Sequence, residues 1–235
     1  MNEGLTVLLS TAVAIGFLHT LIGVDHSLPF VVLGRAQGWS VRKLLTITTL
    51  CGIGHVLSSV ILGLLGIGLG VAAERLQWIE TRRGAISAWL LIGFGLAYAS
   101  WALYRSIRNR PHQHLHFHEE AGHAHEHHHQ NEHLHPHQLD RRALTVWTLF
   151  IVFVFGPCEP LIPLLIVPAL HHSWYGVALV AGVFGITTVG TMVLVVLAGF
   201  HGLRPIFFSF FQRHVHVVAG LMIAASGIVI KAFGL

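Results

Sequence analysis

The chain has 235 residues, 54% of them hydrophobic and only 10% charged, against roughly 25% charge in an ordinary soluble domain. That composition excludes a soluble enzyme or binding module and describes a polytopic membrane protein whose apolar residues face lipid as well as one another. The net charge of +4 does not imply nucleic acid, because Lys and Arg sit in short segments flanking apolar runs, where they act as topology signals.

The first run, MNEGLTVLLSTAVAIG, lacks a basic leader and carries Glu3, so it is expected to stay as a span rather than be cleaved. Against the roughly 20 residues that cross a ~30 Å hydrocarbon core, the apolar runs predict six helices near 5–26, 44–70, 86–104, 146–167, 176–200 and 216–234. The expected fold is all-α: a first three-helix transmembrane repeat over 1–106, a cytoplasmic His-rich loop over 107–142, and a second three-helix repeat over 143–235. Six crossings put Arg35, Arg42, Lys43, Arg105, Arg108, Arg110, Arg141, Arg142, Arg204 and Arg213 on one side. Only Arg75, Arg82, Arg83 and Lys231 fall on the other. The richer side is assigned to the cytoplasm, so both termini lie outside it and the protein sits in the cell's inner membrane.

Two runs are too long for one crossing. Leu5 to Gly34 is about thirty residues, roughly 45 Å as a helix, and 143–170 is nearly as long. Each holds an acid and prolines: Asp25 with Pro29, and Glu159 with Pro157, Pro160 and Pro163. Proline interrupts a helix, and freed backbone groups are tolerated at membrane depth only against protein or a wet cavity. Both runs are therefore expected to break around something polar. A shift of 134 overlays Asp25 on Glu159 and Pro29 on Pro163, and three crossings per half would make the second half enter from the opposite side. Two inverted repeats with broken first helices follow as the expectation.

Such repeats place their site where the broken helices meet. The candidate ligands are His19, Asp25, His26, Cys158 and Glu159, with His55 from CGIGHVLSSV on the second helix. Imidazoles with carboxylates and one thiol suit nickel, cobalt or zinc, whereas magnesium or calcium would want more oxygen. His19 and His26 are seven residues apart, about 10 Å in a regular helix. They can share an ion only if the chain unwinds near Gly23; otherwise they are successive stations on a path. His19 as a packing histidine and Cys158 as a small buried hydrophobe stay open beside the ligand roles.

The loop from Pro111 to Gln138 holds twelve of the twenty histidines: His112, His114, His116, His118, His123, His125, His127, His128, His129, His133, His135 and His137. It cannot build a core, and its alternating HQHLHFH with neighbouring Glu residues predicts capture of a transition-metal cation on the cytoplasmic side. A pH-sensitive solvated linker is the plainer alternative.

GFLHTLIGVDH, with its H-x5-D-H spacing, and GIGHVLSS resemble the nickel/cobalt transporter superfamily. The importers of that group, which serve ureases and hydrogenases, space the motif H-x4-D-H on eight helices. Six helices with a His-rich loop after the third are similar to the exporter branch instead. The resemblance implies that His19, Asp25, His26 and His55 line a metal path. FGPCEPLIPLL is also similar to proline-cysteine motifs of thiol-disulfide conduits and sulfite-exporter-like permeases, but Cys51 and Cys158 do not fall at matching repeat positions.

The expected function is a permease for Ni2+ or Co2+, with Zn2+ as a third candidate, working toward efflux. No enzyme activity and no permanently bound cofactor are expected. GxxxxGK[ST] is absent from the sequence, so the energy is expected from an ion gradient or from a partner, and Asp25 and Glu159 could exchange a proton for the cation. Expected partners are the metal, the bilayer, and a cytoplasmic metallochaperone or a second copy of the chain.

Overall fold

The structure is a computed structural model, and it describes residues 3–108, 112–118, 121–127, 141–156, 158–171, 173–202 and 214–233. Among these, eight α-helices occur: α1 (Glu3–Ile22), α2 (Leu28–Ala36), α3 (Val41–Gly68), α4 (Ala73–Arg108), α5 (Arg141–Phe155), α6 (Leu161–Leu170), α7 (Trp174–Gly202) and α8 (Val215–Phe233). Five of them, α1, α3, α4, α7 and α8, are long and apolar enough to cross a membrane. Their outward faces carry large apolar side chains such as Leu65 (59% exposed), Ile186 (77%) and Leu194 (66%). So much exposed Leu and Ile along whole helices fits lipid as the surrounding solvent. This is a membrane-embedded helical protein.

The fourth expected span, 146–167, is not one helix. It is α5 and α6, each too short alone, and the described residues between them, Gly156 and Cys158 to Pro160, are not helical. The first long run also breaks, as its Pro29 foretells: α1 stops at Ile22, Gly23 is extended (φ −67°, ψ 101°), and a single 3-10 turn, Val24–His26, leads to α2. Pro29 sits in the first turn of α2, where its missing N–H removes no helical bond. The tight α2–α3 link uses Gly38 at φ +63° and Ser40, whose Oγ caps α3 by accepting from Lys43 N at 3.3 Å.

Helix α4 begins well before the expected 86–104, and the segment expected to lie outside the membrane joins it. Leu76, Glu80, Gly84, Ser87, Ala88 and Leu91 form its buried stripe, a helical spacing that the charged residues between them obscure. Arg83 therefore points inward instead of serving as a loop charge.

The long helices pack in two close antiparallel crossings. Where α3 meets α7, a Cβ on Gly52 would touch Val189, and one on Gly185 would touch Val56. Where α4 meets α8, a Cβ on Gly95 would strike the backbone at Ala224, and one on Gly220 the backbone at Ala99. The α4–α8 crossing is a small-xxx-small interface (Gly95 with Ala99, Gly220 with Ala224), in which missing side chains let backbones approach, while at α3–α7 each glycine receives a valine side chain from the other helix. Around them, α1 packs on α7 and α5 on α3, while α2 packs on α8 and α6 on α4. In the His-rich loop, β1 (His112–His118) and β2 (Ala121–His127) form an antiparallel pair.

Candidate metal centre

The break at Gly23 builds the site. Gly23 N still donates to His19 O at 3.0 Å, closing the last turn of α1, and His26 N donates to Gly23 O at 3.1 Å, closing the 3-10 turn. The chain thus folds back on itself within seven residues. His19 and His26, about 10 Å apart in an uninterrupted helix, have ring centroids 4.9 Å apart. A side chain at position 23 would collide with the His26 ring and with Asp25 Oδ1, so only glycine permits this approach.

His55 comes from α3 to complete the group. Its ring centroid is 5.0 Å from that of His26, nearly perpendicular at 88°, and the two Nε2 atoms are 3.3 Å apart. One ring nitrogen from each of His19, His26 and His55 lies within 4.8 Å of the others. Both His26 and His55 are buried. No other group of three or more His, Cys, Asp or Glu with such spacing occurs among the described residues.

The neighbours assign the tautomers. His26 Nδ1 is 3.0 Å from Asp25 Oδ1, at ion-pair distance but without the alignment of a hydrogen bond, and a carboxylate so close favours a proton on that nitrogen. His55 Nδ1 is 3.3 Å from Phe153 O, and a carbonyl calls for the same. With the proton on Nδ1 of both neutral rings, the two Nε2 atoms present lone pairs to each other; a ring protonated at Nε2 would instead donate to its neighbour. Two lone pairs at 3.3 Å repel unless a cation, a proton or a metal ion, stands between them. Two nitrogens ~2.05 Å from one tetrahedral ion would be about 3.3 Å apart. The third nitrogen is free for the purpose: His19 Nε2 is buried with no hydrogen-bond partner, a costly state for a polar atom unless something else binds it.

The other sequence candidates stand elsewhere. Asp25 lies beside His26, keeps 24% of its side chain exposed and stands outside the group of three nitrogens. Glu159 is exposed in the turn before α6 and does not belong to the cluster. The acid expected opposite Asp25 is thus turned away from the imidazoles. Cys158 is fully buried, but in the apolar cluster with Val56, Leu161 and Phe184, not with the imidazoles. Cys51 is also free and belongs to a different core cluster. In the loop, the hairpin register sets His112 opposite His127, His114 opposite His125 and His116 opposite His123, with His118 opposite Ala121. His128, His129, His133, His135 and His137 lie outside the described residues.

Sequence reasoning missed one polar group entirely. Glu80, fully buried, pairs with Arg83 one turn later on α4. Ser59 Oγ donates to Glu80 Oε2 at 3.2 Å, and Arg83 Nη2 donates to Ser58 Oγ at 2.8 Å. The available signal was an acid and a base at i,i+3 in ETRR, flanked by a small-residue helical stripe. Compared with protein-family models, curated proteins and solved structures, the chain finds no match.

Proposed function

We propose that this chain is a secondary permease for a divalent transition metal, nickel or cobalt foremost and zinc as a third candidate, with His19, His26 and His55 as its transit site. One observation carries the proposal: two buried imidazoles face each other Nε2 to Nε2 at 3.3 Å, beside a third with an unpartnered nitrogen. Borderline metals favour such nitrogen sets. The cluster lies at a helix break in a lipid-facing bundle, which is where transporters place their cargo.

In this proposal the two halves are inverted repeats and the α5–α6 pair supplies the sixth crossing. The helix crossings support that symmetry. Gly52 and Gly185 are 133 positions apart, as are Val56 and Val189, so the Gly52–Val189 and Gly185–Val56 contacts exchange under one shift. That shift is within one residue of the one relating Asp25 to Glu159. The same exchange relates the α1–α7 and α5–α3 packings.

The His-rich hairpin, cytoplasmic by the distribution of Lys and Arg, delivers metal to the cluster, and the direction is efflux. Asp25 remains the carboxylate that trades a proton for the cation, because it touches His26 and is partly exposed. Release follows when protons reach the imidazoles from the far side.

The test is the nickel, cobalt and zinc content of cells expressing the chain, beside cells expressing His26→Ala or a chain lacking 111–138. Efflux predicts lower metal than in control cells, control levels with His26→Ala, and a partial effect without the loop. Equal metal content with wild type and His26→Ala refutes the transit site, and higher metal with wild type reverses the direction.

A further inference from the structure

The α5–α6 gap leaves two helix ends inside the bundle, where backbone groups need partners. Side chains from other helices hold three successive carbonyls at the end of α5. Val152 O accepts from Ser87 Oγ at 3.3 Å, Phe153 O from His55 Nδ1 at 3.3 Å, and Val154 O from Arg83 Nη2 at 2.8 Å. Across the gap, Cys158 N donates to Glu80 Oε2 at 3.0 Å and to Ser59 Oγ at 3.2 Å. A guanidinium thus stands at the carbonyl pole of one half-helix and its carboxylate partner at the amide approach to the next. Each meets the dipole charge that favours it.

His55 is tied to this clamp twice. Its ring shares the α5 end with Arg83, and its main-chain carbonyl accepts from Ser58 Oγ at 2.8 Å, which in turn accepts from Arg83. Gly156 completes the fit, since a Cβ there would stand 3.0 Å from His55 Nδ1. A buried ion pair is a weak source of stability in itself, and this one spends its hydrogen bonds on the segment that touches His55.

We propose that Glu80 and Arg83 are positioning residues for His55. By clamping the end of α5 they fix the Phe153 carbonyl that keeps the proton on Nδ1, and so aim Nε2 at His26. The inference rests on the three-histidine metal site proposed above; neither residue of the pair touches the ion.

Full-length chain in lipid nanodiscs is titrated with Co2+, whose visible absorption reports ligand number and geometry. The set is wild type, His55→Ala, the double variant Glu80→Gln with Arg83→Gln, and the triple combination. Absorption from the loop histidines is common to all four and subtracts out. The band lost in His55→Ala is expected to be lost in the double variant too, with affinity down by about 10- to 100-fold, and the triple variant should bind no more weakly than His55→Ala. A folded double variant with wild-type binding overturns the inference, as does a loss that multiplies with that of His55→Ala. Arg83→Lys serves if the neutral pair does not fold: it keeps the charge but not the fork, whose Nη1 meets Glu80 and Ser59 and whose Nη2 meets Ser58 and Val154. Its expected loss is roughly tenfold, and wild-type affinity would again overturn the clamp. If His55→Ala itself leaves the spectrum unchanged, the metal site falls and the positioning role with it. A loss in His55→Ala without one in the pair variants removes only the positioning role.

Discussion

His26 and His55 meet Nε2 to Nε2 at 3.3 Å although they come from a 3-10 turn and from a separate helix. Each is held from behind at Nδ1, one by a carboxylate and the other by a helix-end carbonyl. The meeting is therefore the product of two supports, and each support can be removed separately.

The helix break is the first target. Gly23→Ala introduces a methyl group where the His26 ring and Asp25 already stand, and it raises the helix propensity at the break by roughly 1 kcal/mol. Rejoining α1 to α2 would carry His19 and His26 back to about 10 Å apart. The expected outcome is unchanged or higher helicity by circular dichroism together with loss of the proposed metal efflux from cells, and a variant with wild-type efflux would show that the break is not needed for it.

Asp25→Asn keeps the shape of the side chain and removes the charge that holds the proton on His26 Nδ1. Partners of this kind set the tautomer of a ligating histidine. Co2+ affinity should fall by about 10- to 100-fold, with the three nitrogens still available and thermal stability close to wild type. Wild-type affinity would show that Asp25 does not orient His26.

At the proposed site, metal would compete with protons for the three imidazoles, since each must be neutral to ligate. Cobalt affinity in nanodiscs should therefore weaken steadily on acidification below neutral pH and level off above it. His19→Ala, with one competing imidazole fewer, should show a shallower fall.

The α4–α8 crossing carries a stability prediction independent of any metal. A side chain at Gly95 would strike backbone atoms at Ala224 and Gly220, which cannot give way as a flexible side chain can. Gly95→Leu should cost at least the roughly 1–3 kcal/mol typical of overpacking, seen as a lower midpoint of thermal aggregation in detergent. Leu96→Ala on the exposed face of the same helix should change it little.

Much of this was open to a reader of the residues alone. Bilayer thickness and the intolerance of free backbone groups in lipid make long apolar runs with internal prolines nearly diagnostic, so the membrane class and both helix breaks were visible as one-dimensional signals. His19, Asp25, His26 and His55 were visible for the same reason, because a polar group in an apolar run must have a partner. Which partner it finds is a matter of three-dimensional direction. Glu159 follows the same local pattern as Asp25, yet the α6 turn faces it outward, while Glu80 in a charged stretch that looked like a loop is buried against Ser59 and Cys158. Spacing along the chain cannot distinguish an acid aimed into the bundle from one aimed out of it. The rotation of each half-helix after a break does, and it is set by packing between segments far apart in sequence.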